Sequence, residues 1–290
     1  MDIAAIQLGP ATGNLAEDES STEAAVRAAA STGVALVLLP ELSTLPYFGF
    51  ADPAAWRERA EPVDGRLVQK FAALASELGV ILAFPFFERG VDGRNHNSVV
   101  ILGPDGRIVP AIDRFGVKRP TAQKLHLATA EGAFDERDHF MPGEVLGVHH
   151  SGGLSFGCLV CYDRRFPESW RALRSLGAAL ALIPVVGPGG DDPGFFLAEL
   201  RTHARENGVY ACVANKTGIE TATGEKVSSH GDACIVSPTG EVLAHRGGNA
   251  GPGFVCGTID LGFLTETRRR LPFYEQRRPD LIDHAFGRTQ

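Results

Sequence analysis

No stretch of about 18 consecutive apolar residues occurs in this 290-residue chain, so a helical membrane span is not expected. Basic residues are in deficit too: 28 Lys and Arg stand against 35 Asp and Glu. The resulting formal charge of −7 offers no broad cationic face to nucleic acid or to an anionic lipid surface. The first residues, Met1-Asp2-Ile3-Ala4-Ala5-Ile6-Gln7-Leu8, lack the basic segment and apolar core of an export leader and read as a strand, which sets the expectation of a cytoplasmic protein. Cysteines are few and odd in number. Cys212, Cys234 and Cys256 lie singly in apolar, strand-like runs and are expected as reduced core residues. Cys158 and Cys161 form a C-x-x-C, but residues three apart on a strand face opposite ways, and no second C-x-x-C or C-x-x-H completes a zinc site. A metal site is therefore not expected, and a small molecule is the natural partner.

What the chain does have is 44% apolar residues, enough to fill a substantial core. Short apolar runs alternate with amphipathic stretches: a strand at about 2–8, a helix at 17–32, a strand at 35–39, a helix at 65–78 and a strand from Gly79. Gly103-Pro104-Asp105-Gly106 and Ser237-Pro238-Thr239-Gly240 are turn signals, each predicting that the next strand folds back on its predecessor. Hairpins mixed with helical connections point to layered sheets flanked by helices rather than a purely parallel sheet. No low-complexity linker or short repeat divides the sequence, so residues 1–290 read as one domain. Two stretches, 114–143 and the Gly/Pro/Asp-rich 186–193, resist assignment and have the length of functional loops. The end of the chain, from about 265 to 290, is basic and aromatic and reads as a docking or oligomer-contact tail.

Cys161 is the first candidate for chemistry. It stands where an apolar strand is expected to end and a helix to begin, where the helix N-terminus and nearby arginines would lower its pKa. Glu41, following Leu36-Val37-Leu38-Leu39-Pro40, sits at the rim of a sheet and could act as a general base for a thiol. Lysine is scarce, five residues against 23 arginines, and Lys124 in Gln123-Lys124-Leu125-His126-Leu127 could steady an oxyanion as a compact point charge. Each also has a bland reading: a core thiol, a capping glutamate, a solvated lysine.

Leu39-Pro40-Glu41-Leu42-Ser43, Lys124-Leu125-His126-Leu127 and Cys161-Tyr162-Asp163-Arg164-Arg165-Phe166-Pro167-Glu168 occur in that order and together resemble the nitrilase, or carbon-nitrogen hydrolase, superfamily. The stretch Phe134-Asp135-Glu136-Arg137-Asp138-His139-Phe140-Met141-Pro142-Gly143 and the pair His203–Tyr210 with Ala214-Asn215-Lys216 extend the resemblance over nearly the whole chain. It implies a four-layer αββα sandwich that pairs into a homodimer or larger assembly. It also implies a catalytic Glu41, Lys124 and Cys161, with Glu136 supporting Lys124 and the Tyr162 amide helping to hold an oxyanion. The activity implied is cofactor-independent hydrolysis of a non-peptide carbon-nitrogen bond through an acyl-thioenzyme. One departure is the longer stretch 110–121 before the lysine motif, which leaves Lys118 as a rival and is expected near the pocket. Nitrile-cleaving members tend to carry Trp-Glu after the nucleophile, so Tyr162-Asp163 favours an amide or ureido substrate. Arg164 and Arg165, with Phe166-Pro167-Glu168 and the later Arg277-Arg278-Pro279-Asp280-Leu281, resemble N-carbamoyl amino acid hydrolases, in which such arginines grip a carboxylate. Alternatively, an arginine here makes a structural ion pair with Asp163 or Glu168. A catalytically silent binding or interaction protein of the same fold, or a nitrilase acting on nitriles, are the alternatives to an amidase or N-carbamoyl amidohydrolase.

Overall fold

The computed structural model describes residues 1–130, 134–187 and 193–285. The first half runs β1 (Asp2–Leu8), α1 (Leu15–Ala30), β2 (Leu36–Leu38), α2 (Arg66–Leu78), β3 (Ile81–Arg89), β4 (Asn95–Leu102) and β5 (Thr121–Gln123). The second half runs β6 (His149–Ser151), β7 (Leu154–Cys158), α3 (Pro167–Ser175), β8 (Leu180–Pro184), α4 (Pro193–Asn207), β9 (Tyr210–Glu220), β10 (Val227–Val236), β11 (Val242–Gly247), β12 (Gly253–Thr258), α5 (Leu261–Arg270) and α6 (Pro279–Ala285).

One half-sheet places β1 between β2 and β12, continuing through β3 and β4 to β5. The other runs β6-β7-β8-β9-β10-β11. They join where β1 and β9 pair in parallel, Gln7 opposite Asn215 and Leu8 opposite Lys216. Side chains alternate across a strand, so each half-sheet has two apolar faces to cover. The inner faces meet: Ile3, Leu36, Leu38 and Ile101 pack against Phe156, Leu182, Tyr210 and Ile235. The outer face of the first half-sheet is covered by α1 and α2 through Val26, Leu67, Phe71 and Leu74, with Phe71 stacked on Phe84 at 4.2 Å. Trp170, Leu173, Phe196 and Leu200 of α3 and α4 cover the other. This is the four-layer αββα sandwich. Each fully buried Leu, Ile or Phe contributes about 1.5–3 kcal/mol to it.

Local signals set the element ends. Asn14 caps α1 by accepting the Ala16 N–H, and Gly79, at φ 67°, takes the left-handed conformation that ends α2. The Ser237–Gly240 turn joins β10 to β11 as expected, with Ser237 N–H bonded to Glu241 O at 2.8 Å. After Gly103–Gly106 the chain does turn back, but only as a single bridge, Leu102 to Ile108, rather than a strand. Cys256 corrects an expectation: β12 lies at the side of the half-sheet, and its thiol is exposed, 3.7 Å from Thr32 Oγ1.

The inserted stretch has a structure of its own. Ala111–Ile112 and Lys118–Arg119 pair as a small hairpin whose turn is held by Asp113 Oδ1, which accepts the N–H groups of Phe115 and Val117. It bridges to Val148, and none of its described hydrogen bonds reaches Glu41, Lys124, Glu136 or Cys161. Near the C-terminus Arg268 donates to Gly208 O and Ala178 O, Arg174 pairs with Glu275 at 2.6 Å, and the guanidinium of Arg277 stacks 3.7 Å from the Tyr274 ring. This stretch therefore docks on its own chain; residues 286–290 lie outside the described residues.

His149 is fully buried, its Nδ1–H donating to Val109 O at 2.8 Å, and burial pulls its pKa from the ordinary 6.5 to about 4. The folded state refuses a proton that the unfolded chain accepts, so this contribution is complete above pH 6.5 and fades as pH falls towards 4. In His149→Gln, the loss of unfolding free energy between pH 7 and pH 4.5 should shrink by about 2 to 3 kcal/mol in urea titrations. An unchanged pH dependence would remove His149 from the acid response.

Candidate active site

Glu41 leaves the end of β2 through Leu39 and Pro40, and the following Leu42, at φ 47°, turns the chain sharply away. The carboxylate is left inside the protein, where three groups donate to it. Lys124 Nζ donates to its Oε1 at 2.9 Å, Asn97 Nδ2 to the same oxygen at 2.6 Å, and the Val186 N–H to Oε2 at 2.9 Å. Lys124 also donates to Glu136 Oε1 at 2.8 Å, while the Ala128 N–H occupies Glu136 Oε2 and the Tyr47 hydroxyl donates to Oε1. Glu41, Lys124 and Glu136 are each at most 1% exposed.

Charges so deeply buried are tolerable only because they compensate one another. Burial works to lower the pKa of Lys124, but Glu136 and Glu41 outweigh it and hold the value well above the ordinary one, so the ammonium persists. Burial raises Glu136, with Lys124 opposing and Glu41 adding to the rise.

Cys161 lies beside this group, near enough to feel both carboxylates and Lys124. The strand that approaches it ends at Cys158, three residues earlier than the sequence suggested, and Cys161 opens a 3-10 turn, Cys161–Arg165, before α3. Its φ of 49° is unusual for a residue with a Cβ and sets the thiol on a sharp turn. The expected lowering of its pKa is not found. Burial pushes the thiol up and Glu41 adds to that, outweighing the opposing Lys124 and Arg164. The resting group is a neutral thiol whose S–H points to Val186 O at 3.5 Å, and it needs a base to be activated. Cys158 is a free, buried thiol in the core between the half-sheets, its pKa pushed up to about 12 by burial.

The lysine and cysteine segments are tied together by Asp163, a role the sequence did not suggest for it. Its carboxylate accepts the N–H groups of Leu125, His126 and Val160 and the ring nitrogen of His126. His126 stacks on Phe166 at 3.7 Å. Asp163 is thus unavailable to Arg164, whose Nε lies 3.6 Å from Glu199 Oε2, with its Nη1 donating to Cys161 O. Arg164 is 2% exposed and packs over the Phe196 ring, whereas Arg165 keeps a side chain 38% exposed, 3.7 Å from the same Glu199 oxygen. Lys118 is exposed on the outlying hairpin and so is removed as a rival to Lys124. The Tyr162 N–H, in the first turn after the thiol, has no acceptor among the described residues.

Asn97, Tyr47 and the Val186 peptide are the further residues that sequence reasoning missed. Asn97 had only a weak signal, a polar residue just ahead of the apolar run Val99-Val100-Ile101-Leu102, and is fully buried in β4. Tyr47 had none, because it is held from far away: its N–H donates to Glu220 Oε2, and Lys216 pairs with Glu220 at 2.9 Å while donating to Leu45 O. Among the described residues no cluster of His, Cys, Asp and Glu has the form of a metal site. Chemically, the arrangement offers a buried carboxylate to take a proton, a thiol to attack, and an ammonium to hold developing negative charge.

A family model described as carbon-nitrogen hydrolase matches residues 2–269. Among relatives, the chain is 34% identical to the deaminated glutathione amidase of Homo sapiens, over 88% of this chain and 76% of that one. It is 30% identical to the N-carbamoylputrescine amidase of Solanum lycopersicum, over 96% and 92%. Among solved structures it resembles a mutant amidase from Nesterenkonia sp. AN1 with the acetamide moiety of fluoroacetamide added covalently at the active site cysteine. That match has 25% identity, a TM-score of 0.77, and covers 98% of this chain and 96% of that one.

Proposed function

The chain belongs to the carbon-nitrogen hydrolase family, a hydrolase of bonds other than peptide bonds, and from that premise we propose that it cleaves a small amide or N-carbamoyl substrate through an acyl-thioenzyme on Cys161. The observation that carries this reading is the closed hydrogen-bonded group of Glu41, Lys124 and Glu136 beside a neutral thiol. Glu41 takes the thiol proton as sulfur attacks the acyl carbon; Lys124 and the Tyr162 N–H hold the oxyanion. The proton then passes from Glu41 to the departing nitrogen, the C–N bond breaks, and ammonia or an amine leaves. Glu41 next takes a proton from water, whose oxygen attacks the thioester and releases the acid and the thiol. Glu136 keeps Lys124 aimed.

The covalent cysteine adduct of the Nesterenkonia amidase supports the same reading here. The two relatives act, by name, on an amide and on an N-carbamoyl diamine, which supports both substrate types. Arg165, the more exposed of the two arginines, is our candidate contact for a substrate carboxylate. A panel of N-carbamoyl amino acids, N-carbamoyl diamines, monoamides and nitriles, scored by ammonia release, tests this. Turnover is expected for an amide or N-carbamoyl compound, with iodoacetamide labelling of Cys161 that saturates and that substrate slows. Turnover of nitriles alone, or labelling of Cys161 that neither saturates nor responds to substrate, would count against it.

A further inference from the structure

Away from the catalytic group, Asp232 holds two histidines at once. Its Oδ2 accepts from His230 Nδ1 at 3.0 Å and its Oδ1 from His245 Nε2 at 2.7 Å. The carboxylate stands on a bulge in β10, between Gly231 and Ala233, at φ 65°, a strained conformation for a residue with a side chain. With the proton of His230 fixed on Nδ1, its Nε2 is an acceptor, and it faces Asn215 Nδ2 at 3.4 Å. Asn215 in turn donates to Gly231 O and accepts the Gly187 N–H at 3.1 Å. The contact is close: a Cβ on Gly187 would lie 2.5 Å from the His230 ring. The neighbouring Val186 peptide gives its N–H to Glu41 and its carbonyl to the thiol of Cys161. A second route converges on the same place, since Phe196 meets His230 edge-on at 4.6 Å and carries Arg164 on its ring at 4.8 Å.

We propose that His230 and Asp232 are positioning residues for the reaction, acting through Asn215 on the Val186–Gly187 backbone that aims base and thiol at each other. The inference rests on Glu41 and Cys161 being that base and nucleophile. Asp232 sets the tautomer of His230; the ring acts as both wall and acceptor for the segment; His245, with a side chain 35% exposed, closes the line at the surface. A purely structural filler at this point of the core would need neither the strained backbone nor the polar chain.

The test compares Asp232→Asn, His230→Gln and His230→Leu on the full chain, using the amide or N-carbamoyl compound that the wild type turns over fastest. In Asp232→Asn, kcat should fall about 10- to 100-fold with KM within about twofold, and Cys161 alkylation by iodoacetamide should slow in parallel. His230→Gln, which keeps an acceptor, should retain more kcat than His230→Leu. Folded variants with wild-type kcat and alkylation rate would overturn the proposal, as would a rise in KM alone. Equal losses in His230→Gln and His230→Leu would also overturn it, leaving a packing role. A wild-type protein that neither releases ammonia nor labels at Cys161 would instead sink the catalytic reading beneath it.

Discussion

Cys161→Ala abolishes ammonia release, by about 10⁴-fold or more, and leaves the fold in place. On the proposed mechanism the thiol is the group that makes the covalent bond, and no nearby side chain can substitute for it. Cysteine already occupies the left-handed turn at φ 49°, so alanine meets the same backbone strain and unfolding in urea should be little changed. Intact mass spectrometry should find an adduct on the wild type after fluoroacetamide and none at position 161 in the variant. Cys158→Ser is the matched control. Its thiol lies in the core between the half-sheets, so it should affect stability and leave turnover within a few-fold. Equal damage from both substitutions would revive a dithiol mechanism, and activity within tenfold of wild type in Cys161→Ala would remove the residue from the chemistry.

Lys124→Met should damage activity and stability together. On the proposed mechanism it removes a partner of the oxyanion, and the expected loss is about 10²- to 10³-fold in kcat. The variant also leaves the carboxylates of Glu41 and Glu136 facing one another without their shared cation, in a place where both are at most 1% exposed. Breaking a buried ion pair from one side costs about 3–5 kcal/mol. The pH dependence has a definite sign. Burial already raises the Glu136 carboxyl, and removing the opposing Lys124 raises it further, so the folded variant holds a proton that the unfolded chain has released. Stability of the variant is therefore greatest below the ordinary carboxylate range and falls as pH rises through the folded-state value. The gap to wild type should widen from pH 5 to pH 8 in urea titrations. A variant as stable as wild type, with a constant gap, would mean that the three groups are not one coupled cluster.

Much of the fold could be read along the chain because its signals are local. The helices near 17–32 and 65–78 fall within a few residues of Leu15–Ala30 and Arg66–Leu78, where Asn14 and Gly79 supply the caps. The turn at Ser237–Gly240 was legible for the same reason, since Pro and Gly choose it without help from distant residues. The end of β7 was not: Leu159 and Val160 continue the apolar run, but they are buried among α3, α4 and the core, and the pairing with β8 stops at Cys158. An apolar residue reports burial, and burial alone does not report a hydrogen-bonded ladder.

Glu41, Lys124, Glu136 and Cys161 were identifiable from the residues that flank them in order along the chain. That order names which side chains matter and, with the apolar alternation, a layered α/β protein. Their electrostatic state depends on distances that no linear pattern contains. The setting of Cys161 suggested a lowered pKa; three-dimensional burial and the nearness of Glu41 raise it, which turns a ready thiolate into a thiol that needs its base. Asp163, Asn97 and the line from His245 through Asp232, His230 and Asn215 to Gly187 join residues from separate strands and turns. Composition and motif therefore determined the family and the layered architecture and nominated the candidate reacting groups, because those depend on residue type and local spacing. Tertiary structure alone decided how the groups are charged, which arginine is buried and which residues surround Glu41 and Cys161, because desolvation and hydrogen bonding act between parts of the chain that only folding brings together.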